Sequence, residues 1–408
     1  MTFEIALTGL KASSSELEVI SNNIANASTT GFKHSNIQFG DIYGTAGIGA
    51  TGNSIGRGVR VTDVTQQFAK GDVTYTESQL DMSISGSGQG FFRLNDNGSV
   101  QYSRAGSFGL DREGYIVNGA GQKLMGYPAT NGVIIPTPGD LRVDSIDTAA
   151  KQTTSVRMNL NLNAKELPTG PFDRSDADSY NFTTSTTFYD SLGAAHLANL
   201  HFRKSGTNQW AVHTFVADVE VTSPAGDIVE FNNDGSMNTV KGNANGLLDL
   251  DPFVPQPGSD PMEVTLDLGE ITQFHGVSGI NEIVQDGHAS GRLTDFGVNA
   301  DGKVLGYYTN GQARAMGQVT ITSFRNPQGL QQVSNTSWVE TFSSGEALSG
   351  IPGTATLGTV QAGSLEQSNV DVTQELVKMI STQRNFQANA QVISASDMLT
   401  QTVMNIKR

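Results

Sequence analysis

The chain has 408 residues and no cysteine, which gives room for two or three domains and excludes a disulfide framework, Cys-ligated zinc and a thiol nucleophile. Its net charge is −15 with only 16% of residues charged, a poor match to a surface that binds phosphate backbones. The opening MTFEIALTGL lacks a basic n-region and a continuous apolar h-region, and no run approaches the roughly 18 apolar residues of a membrane span, so the sequence predicts neither a cleaved leader nor membrane insertion.

The first element is a helix. Phe3, Leu7, Leu10, Ser14, Leu17, Ser21 and Ile24 step by four and three, which is heptad spacing. The pattern runs for about 25 residues, or roughly 37 Å. It ends in ISNNIANASTTGFK, where Asn22, Asn23 and Asn26 crowd a helix although asparagine is a poor interior residue and costly to bury alone. Gly31 frees the backbone to turn. Residues 40–58, GDIYGTAGIGATGNSIGRG, read as an extended connector with Gly44, Gly47, Gly49, Gly52, Gly56 and Gly58 as hinge and turn positions.

Period two then takes over. Leu80, Met82 and Ile84 alternate with polar residues, and Phe92 and Leu94 face Val100 and Tyr102 across the hairpin turn NDNGS. STTFYDSLGAAHLANLHF and NQWAVHTFVA read as further antiparallel strands, while residues 163–179 and 251–261 are loops rich in Pro and Asp. A second heptad pattern closes the chain: Val372, Leu376, Met379, Gln383, Phe386, Ala390, Ile393, Asp397, Thr400 and Met404, widened by Ile380, Leu399, Val403 and Ile406. This helix spans about 37 residues, or roughly 55 Å, and Ser368 or Asp371 caps its start. The fold class is therefore mainly β with helical termini: the two helices form a coiled-coil-like inner domain, and the middle holds two or more antiparallel β modules, one inserted in the other.

Candidate chemistry is weak. Gly47 to Gly52 matches G-x-G-x-x-G, but no helix pattern opens behind it to hold a pyrophosphate. SGSGQGFF runs from strand to strand, again without a helix N-terminus. His201 and His213 are cross-strand neighbours near Gly206, yet a third zinc ligand is not identifiable, and they read as polar surface residues. Acidic groups such as Asp176/Asp178 and Asp249/Asp251 miss calcium-loop spacing and read as turn formers. No H-E-x-x-H is present. The sequence predicts no catalytic, metal or cofactor-binding residue, hence no enzyme. The terminal helices instead carry uncharged polar faces of Ser, Asn and Gln, which suit repeated contacts between identical neighbours better than solvent.

ALTGLKASSSELEVISNNIANASTTGFK resembles the N-terminal signature of the flagellar axial proteins of the rod, hook and hook-associated types. GSLEQSNVDVTQELVKMISTQRNFQANAQVISASDMLTQTVMNI resembles their C-terminal signature. LDMSISGSGQGFFRL and YSRAGSFGLDREGYIVNGAGQKLMGYPA are similar to the inner β domain of distal rod and hook types, and FDRSDADSYNFTTSTTFYDSLGAAHLANLHF to the outer domain of the hook type.

The resemblance implies a structural subunit of the hook. Such subunits polymerise into a curved hollow tube that passes torque to the filament as a universal joint and serves as a channel for exported subunits. It implies an extracellular place in the flagellum, export by the type III apparatus without a cleaved signal, and contacts with the distal rod protein, hook cap and hook–filament junction proteins, with no nucleic acid. A distal rod subunit is the alternative, an adhesin or secreted enzyme the distant one. The expected domains are residues 1–30 with 366–408 as the helical inner-tube domain and 31–75 with 358–365 as an extended connector. Residues 76–145 with 290–357 form the inner β domain, and 146–289 the outer inserted one. The expected assembly interface is Phe3, Leu7, Leu10, Leu17, Ile24, Asn22, Asn23, Asn26, Val372, Leu376, Met379, Phe386, Ile393 and Met404, with the asparagines as hydrogen-bonding glue.

Overall fold

The computed structural model describes residues 2–42, 56–86, 90–144 and 146–406. The chain is mainly β, with one long helix at each end. It divides into two compact units: Met1–Asp144, Asp295–Gly306 and Ala313–Arg408 make unit 1, and Ser145–Thr294 with Tyr307–Gln312 make unit 2.

In unit 1, α1 (Thr2–Ala25) ends in a chain of tightened turns, with Asn26 N bonded to Asn22 O, Ala27 N to Ile24 O and Thr29 N to Asn26 O. Gly31 then adopts φ +70°, and a Cβ there would collide with the backbone of Arg104 and Ala105. At the other end α2 (Val372–Ile406) is capped by Asp371, whose carboxylate accepts from Thr373 N at 2.9 Å and Gln374 N at 3.2 Å. The flanks of the glycine-rich stretch pair as an antiparallel ribbon, β1 (Ser35–Asp41) against β2 (Val59–Gln66), with contacts to α1. Gly44, Gly47, Gly49 and Gly52 lie outside the described residues. A Cβ on Gly56 would only just touch Ile42 O at 4.0 Å, whereas Gly58 sits at φ +119° against the Thr8 side chain.

The β part of unit 1 is a sheet running 313–319, 123–130, 91–96, 99–103, 337–339 and 331–332. Leu80, Met82 and Ile84 are buried as their alternation predicts. The 91–96/99–103 hairpin turns through Asn97 and Gly98, both at positive φ, and its register sets Arg93, not Phe92, opposite Tyr102. Phe91, Tyr102, Phe324 and Trp338 form an edge-to-face aromatic core. Phe68, just after β2, packs on Phe91 and Trp338 at 5.5 Å, and Trp338 donates its indole N–H to Gln66 at 2.6 Å. The ribbon is thereby fastened to the β core.

Unit 2 is a two-sheet sandwich. One sheet centres on strand 155–163; the other runs 182–189, 195–206, 209–216, 227–231 and 237–240. Val156, Met158, Leu160 and Leu162 of the first share one core with Phe188, Leu200, Phe202, Trp210 and Val212 of the second. Trp210 donates to Gln273 at 2.7 Å within that core. His201 and His213 are directly opposite each other, as expected, but both are buried rather than on the surface.

Candidate assembly interface

The helices pack antiparallel on a face that differs from the predicted stripe. Besides the buried Ala12, the covered positions on α1 are Ala6, Gly9, Ser13, Glu16, Ile20 and Asn23, of which Ala6, Ser13, Ile20 and Asn23 are buried. Each precedes by one residue a position of the predicted stripe, a rotation of about 100°. On α2 the covered positions are Glu375, Met379, Thr382, Phe386, Asn389, Ile393 and Ser396. Met379, Phe386 and Ile393 belong to the predicted stripe; the alternate positions again fall one residue earlier. The reason is size. Gly9 lets α2 approach so closely that a Cβ on it would lie 2.9 Å from the Asn389 side chain. Small and polar residues alternate with Ile20, Met379, Phe386 and Ile393 along the intramolecular seam. The large apolar residues are left on its flanks and beyond: Leu7, Leu10, Leu17 and Ile24 are half-buried, and Phe3 is 47% exposed.

α2 presents still more. Val372, Leu376, Ile380, Met398, Leu399 and Met404 are 40 to 67% exposed. Gly9 faces Asn389 and Asn23 bonds Glu375, so both helices place these contacts 14 residues apart. That register sets Thr2 opposite Ser396, and residues 397–406 project about 15 Å past the start of α1.

The three asparagines separate into two roles. Asn23 is fully buried; its amide accepts from Ser35 N at 3.0 Å and donates to Ser35 O at 2.8 Å and to Glu375 Oε2 at 3.1 Å. One side chain thus pins α1 to the first residue of β1 and to the first turn of α2. Asn22 is exposed and Asn26 half-buried; Asn26 donates to Asn22 Oδ1 at 3.0 Å and accepts from the Thr29 hydroxyl at 3.2 Å. Glu375 also accepts from Lys378 at 2.8 Å and lies 3.2 Å from His34 Nε2. Burial pushes the Glu375 carboxyl up, but the bonds from Lys378, Asn23 and His34 hold it below the usual carboxylate range.

Beneath the helix pair lies a buried ion cluster. Lys33 Nζ donates to Glu366 Oε1 at 2.6 Å and to Ala69 O at 2.8 Å, and Arg104 Nη1 donates to Glu366 Oε2 at 3.3 Å. The three side chains are 0 to 5% exposed. Gly71 N also donates to Glu366 Oε1, and Gly31 N to the Glu366 carbonyl at 2.8 Å. Burial opposes ionisation of all three groups. Arg104 and Lys33 overcome it for Glu366 and hold its carboxyl low, while Lys33 and Arg104 are shifted down by their own desolvation. The cluster joins the exit of α1, the entry to α2 and the β core, with Arg104 also 5.1 Å over the Phe91 ring.

The predicted interface omits Lys33, His34, Arg104, Glu366 and Glu375. A signal for three of them is present in the sequence. Lys33 is the lone Asp, Glu, Lys or Arg in residues 19–40, Glu366 in 347–370 and Arg104 in 97–110. A single charge in a long uncharged run points to a partner far along the chain. Among the described residues no group of three His, Asp or Glu is placed to hold a metal ion.

Four family models match along the chain. They are the flagella basal body rod protein model over residues 3–33, the flagellar hook protein FlgE/F/G D1 domain over 86–159, the flagellar basal body protein FlaE D2 domain over 159–288 and the flagellar basal body rod FlgEFG protein C-terminal model over 361–406. Flagellar hook protein FlgE of Escherichia coli strain K12 is 39% identical over 421 residues, covering all of both chains. That of Salmonella typhimurium is also 39% identical over all of both, and that of Treponema pallidum 32% identical over 98% of each. The crystal structure of Helicobacter pylori hook protein FlgE2 shares the fold, with a TM-score of 0.56 at 14% identity over 72% of this chain and all of that one.

Proposed function

The chain belongs to the flagellar hook protein family, a structural component of the bacterial flagellum, and from that premise we propose that its copies join through the outward faces of the terminal helix pair. The observation that carries this is the row of exposed apolar residues on α2, from Val372 and Leu376 to the projecting Met398, Leu399 and Met404. A single chain leaves it uncovered, and a second copy would bury it. Phe3, Leu7, Leu10, Leu17 and Ile24 would extend the same contact. Asn22 and Asn26 would bond neighbours while Asn23 holds the pair in register. The product would be a curved hollow tube acting as a universal joint and as a channel for later subunits. We assign no catalysis to it. Export by the type III apparatus, and contacts with the distal rod protein, hook cap and hook–filament junction proteins, complete the proposal. The expected helical, connector, inner and outer β domains would supply the tube wall, its hinges and its outer surface, with Gly31 and the glycines of 44–58 absorbing the bend.

The test replaces Leu376, Ile380 and Leu399 by serine in one variant. These residues are 47 to 67% exposed, so the monomer is expected to keep its thermal midpoint within about 3 °C. After induction with a kosmotropic salt, negative-stain electron microscopy is expected to show tubes from the native chain and none from the variant. Tubes of normal length from the variant would overturn this interface.

A further inference from the structure

Residues 164–181 of unit 2 cross one face of its six-stranded sheet. Lys204 Nζ donates to Ala164 O at 2.7 Å, Asn181 to Leu167 O at 3.1 Å and Arg203 Nη1 to Gly170 O at 3.0 Å. Arg174 pairs with Asp218 at 2.6 Å and lies 5.0 Å over the Phe215 ring. The middle of the crossing rests on histidine. The Phe172 ring stacks on His213 at 3.9 Å and 8°, and Tyr180 packs on His201 at 4.7 Å. His201 is 7% exposed and neither ring nitrogen has a hydrogen-bond partner among the described residues. His213 is 1% exposed and bonds Glu220 at 2.9 Å through Nδ1, with Nε2 unpartnered.

We propose that this segment is a histidine-gated strap, closed over the sheet near neutral pH and released in mild acid when His201 takes a proton. A cation at His201 would be buried without an acceptor or a carboxylate partner among the described residues and would face the cationic Arg174. The strap contributes Arg174 and Tyr180, and its own strand contributes Arg203 two residues on. The facing strand contributes His213 and Phe215, and strand 182–189 contributes Thr183 opposite it. The nearby carboxylates are engaged, Glu220 by His213 and Asp218 by Arg174. Burial, then Arg174 and His213, hold the His201 imidazole below its ordinary range. The sign follows from that direction. The closed form is fully stable above about pH 6.5, where the released His201 is also neutral, and weakens as pH falls below it, because only the released form protonates readily. One proton makes the released fraction rise by at most about tenfold per pH unit below that point.

The experiment is hydrogen exchange of the full chain at pH 7.5, 6.5 and 5.5, corrected for intrinsic exchange and read on peptides from 164–181 and, as control, 155–163. Strap protection is expected to fall about fivefold between pH 6.5 and 5.5 while the control strand holds. His201→Phe, which keeps a ring in contact with Tyr180, is expected to stay protected at pH 5.5. His201→Gln serves the same purpose if the phenylalanine disturbs folding. Equal protection at pH 7.5 and 5.5 in the native chain, or the same loss in the neutral variants, would overturn the proposal.

Discussion

Glu366→Gln is expected to destabilise unit 1 by about 3–5 kcal/mol, because it strands two buried cations, Lys33 and Arg104, with no counter-charge. Urea unfolding followed by fluorescence measures it directly. The chain has two tryptophans, Trp338 in unit 1 and Trp210 in unit 2, so a Trp210→Phe background isolates the relevant unit. The triple change Lys33→Met, Arg104→Met and Glu366→Leu removes all three charges and is expected to lose much less than Glu366→Gln alone. Desolvated ion clusters are close to break-even against well-packed apolar groups. A loss below about 1 kcal/mol for Glu366→Gln would show that water reaches the cluster. Acid probes the same carboxylate. Its pKa is depressed in the folded state, so its contribution is complete above the ordinary carboxylate range near pH 4.3 and is lost as pH falls through the folded value. Glu366→Gln is expected to lack that part of the acid limb.

The second large effect is expected at Asn23. Asn23→Leu removes both bonds to the Ser35 backbone and one to Glu375, leaving a buried N–H and C=O without partners. At about 1–3 kcal/mol for each stranded group, the helix pair is expected to lose about 2–6 kcal/mol. Asn22→Leu and Asn26→Leu act on groups that reach solvent and are expected to change monomer stability by less than about 1 kcal/mol. Thermal unfolding of the three variants, followed by tube induction, gives the order. Loss of tubes in Asn23→Leu with a lowered melting midpoint is the expected result. A stability ranking with Asn22 or Asn26 above Asn23 would contradict the geometry.

The sequence weights the three asparagines alike because helical spacing places all of them near the end of one helix. The choice among them depends on Ser35 and Glu375, the latter 352 residues away. The seam follows the same logic. Heptad spacing correctly locates both helices, and apolarity marks a stripe, but apolarity cannot say which side meets the partner helix. Gly9, Ser13, Thr382 and Asn389 share that side with Ile20, Met379, Phe386 and Ile393 because small residues allow close approach, and the other large side chains were left outward.

What the sequence determines by itself here is local: two terminal helices from a period of three and four, β structure between them from alternation, and hairpin turns from Asn and Gly that tolerate positive φ. Its terminal and central motifs also carry the family. Only the tertiary structure decided the rotation of the helix seam, the selection of Asn23, the Lys33–Glu366–Arg104 cluster and the burial of His201 and His213. Each depends on partners distant in the chain. Burial of a polar group is decided by whether folding delivers those partners, which no local window of residues contains.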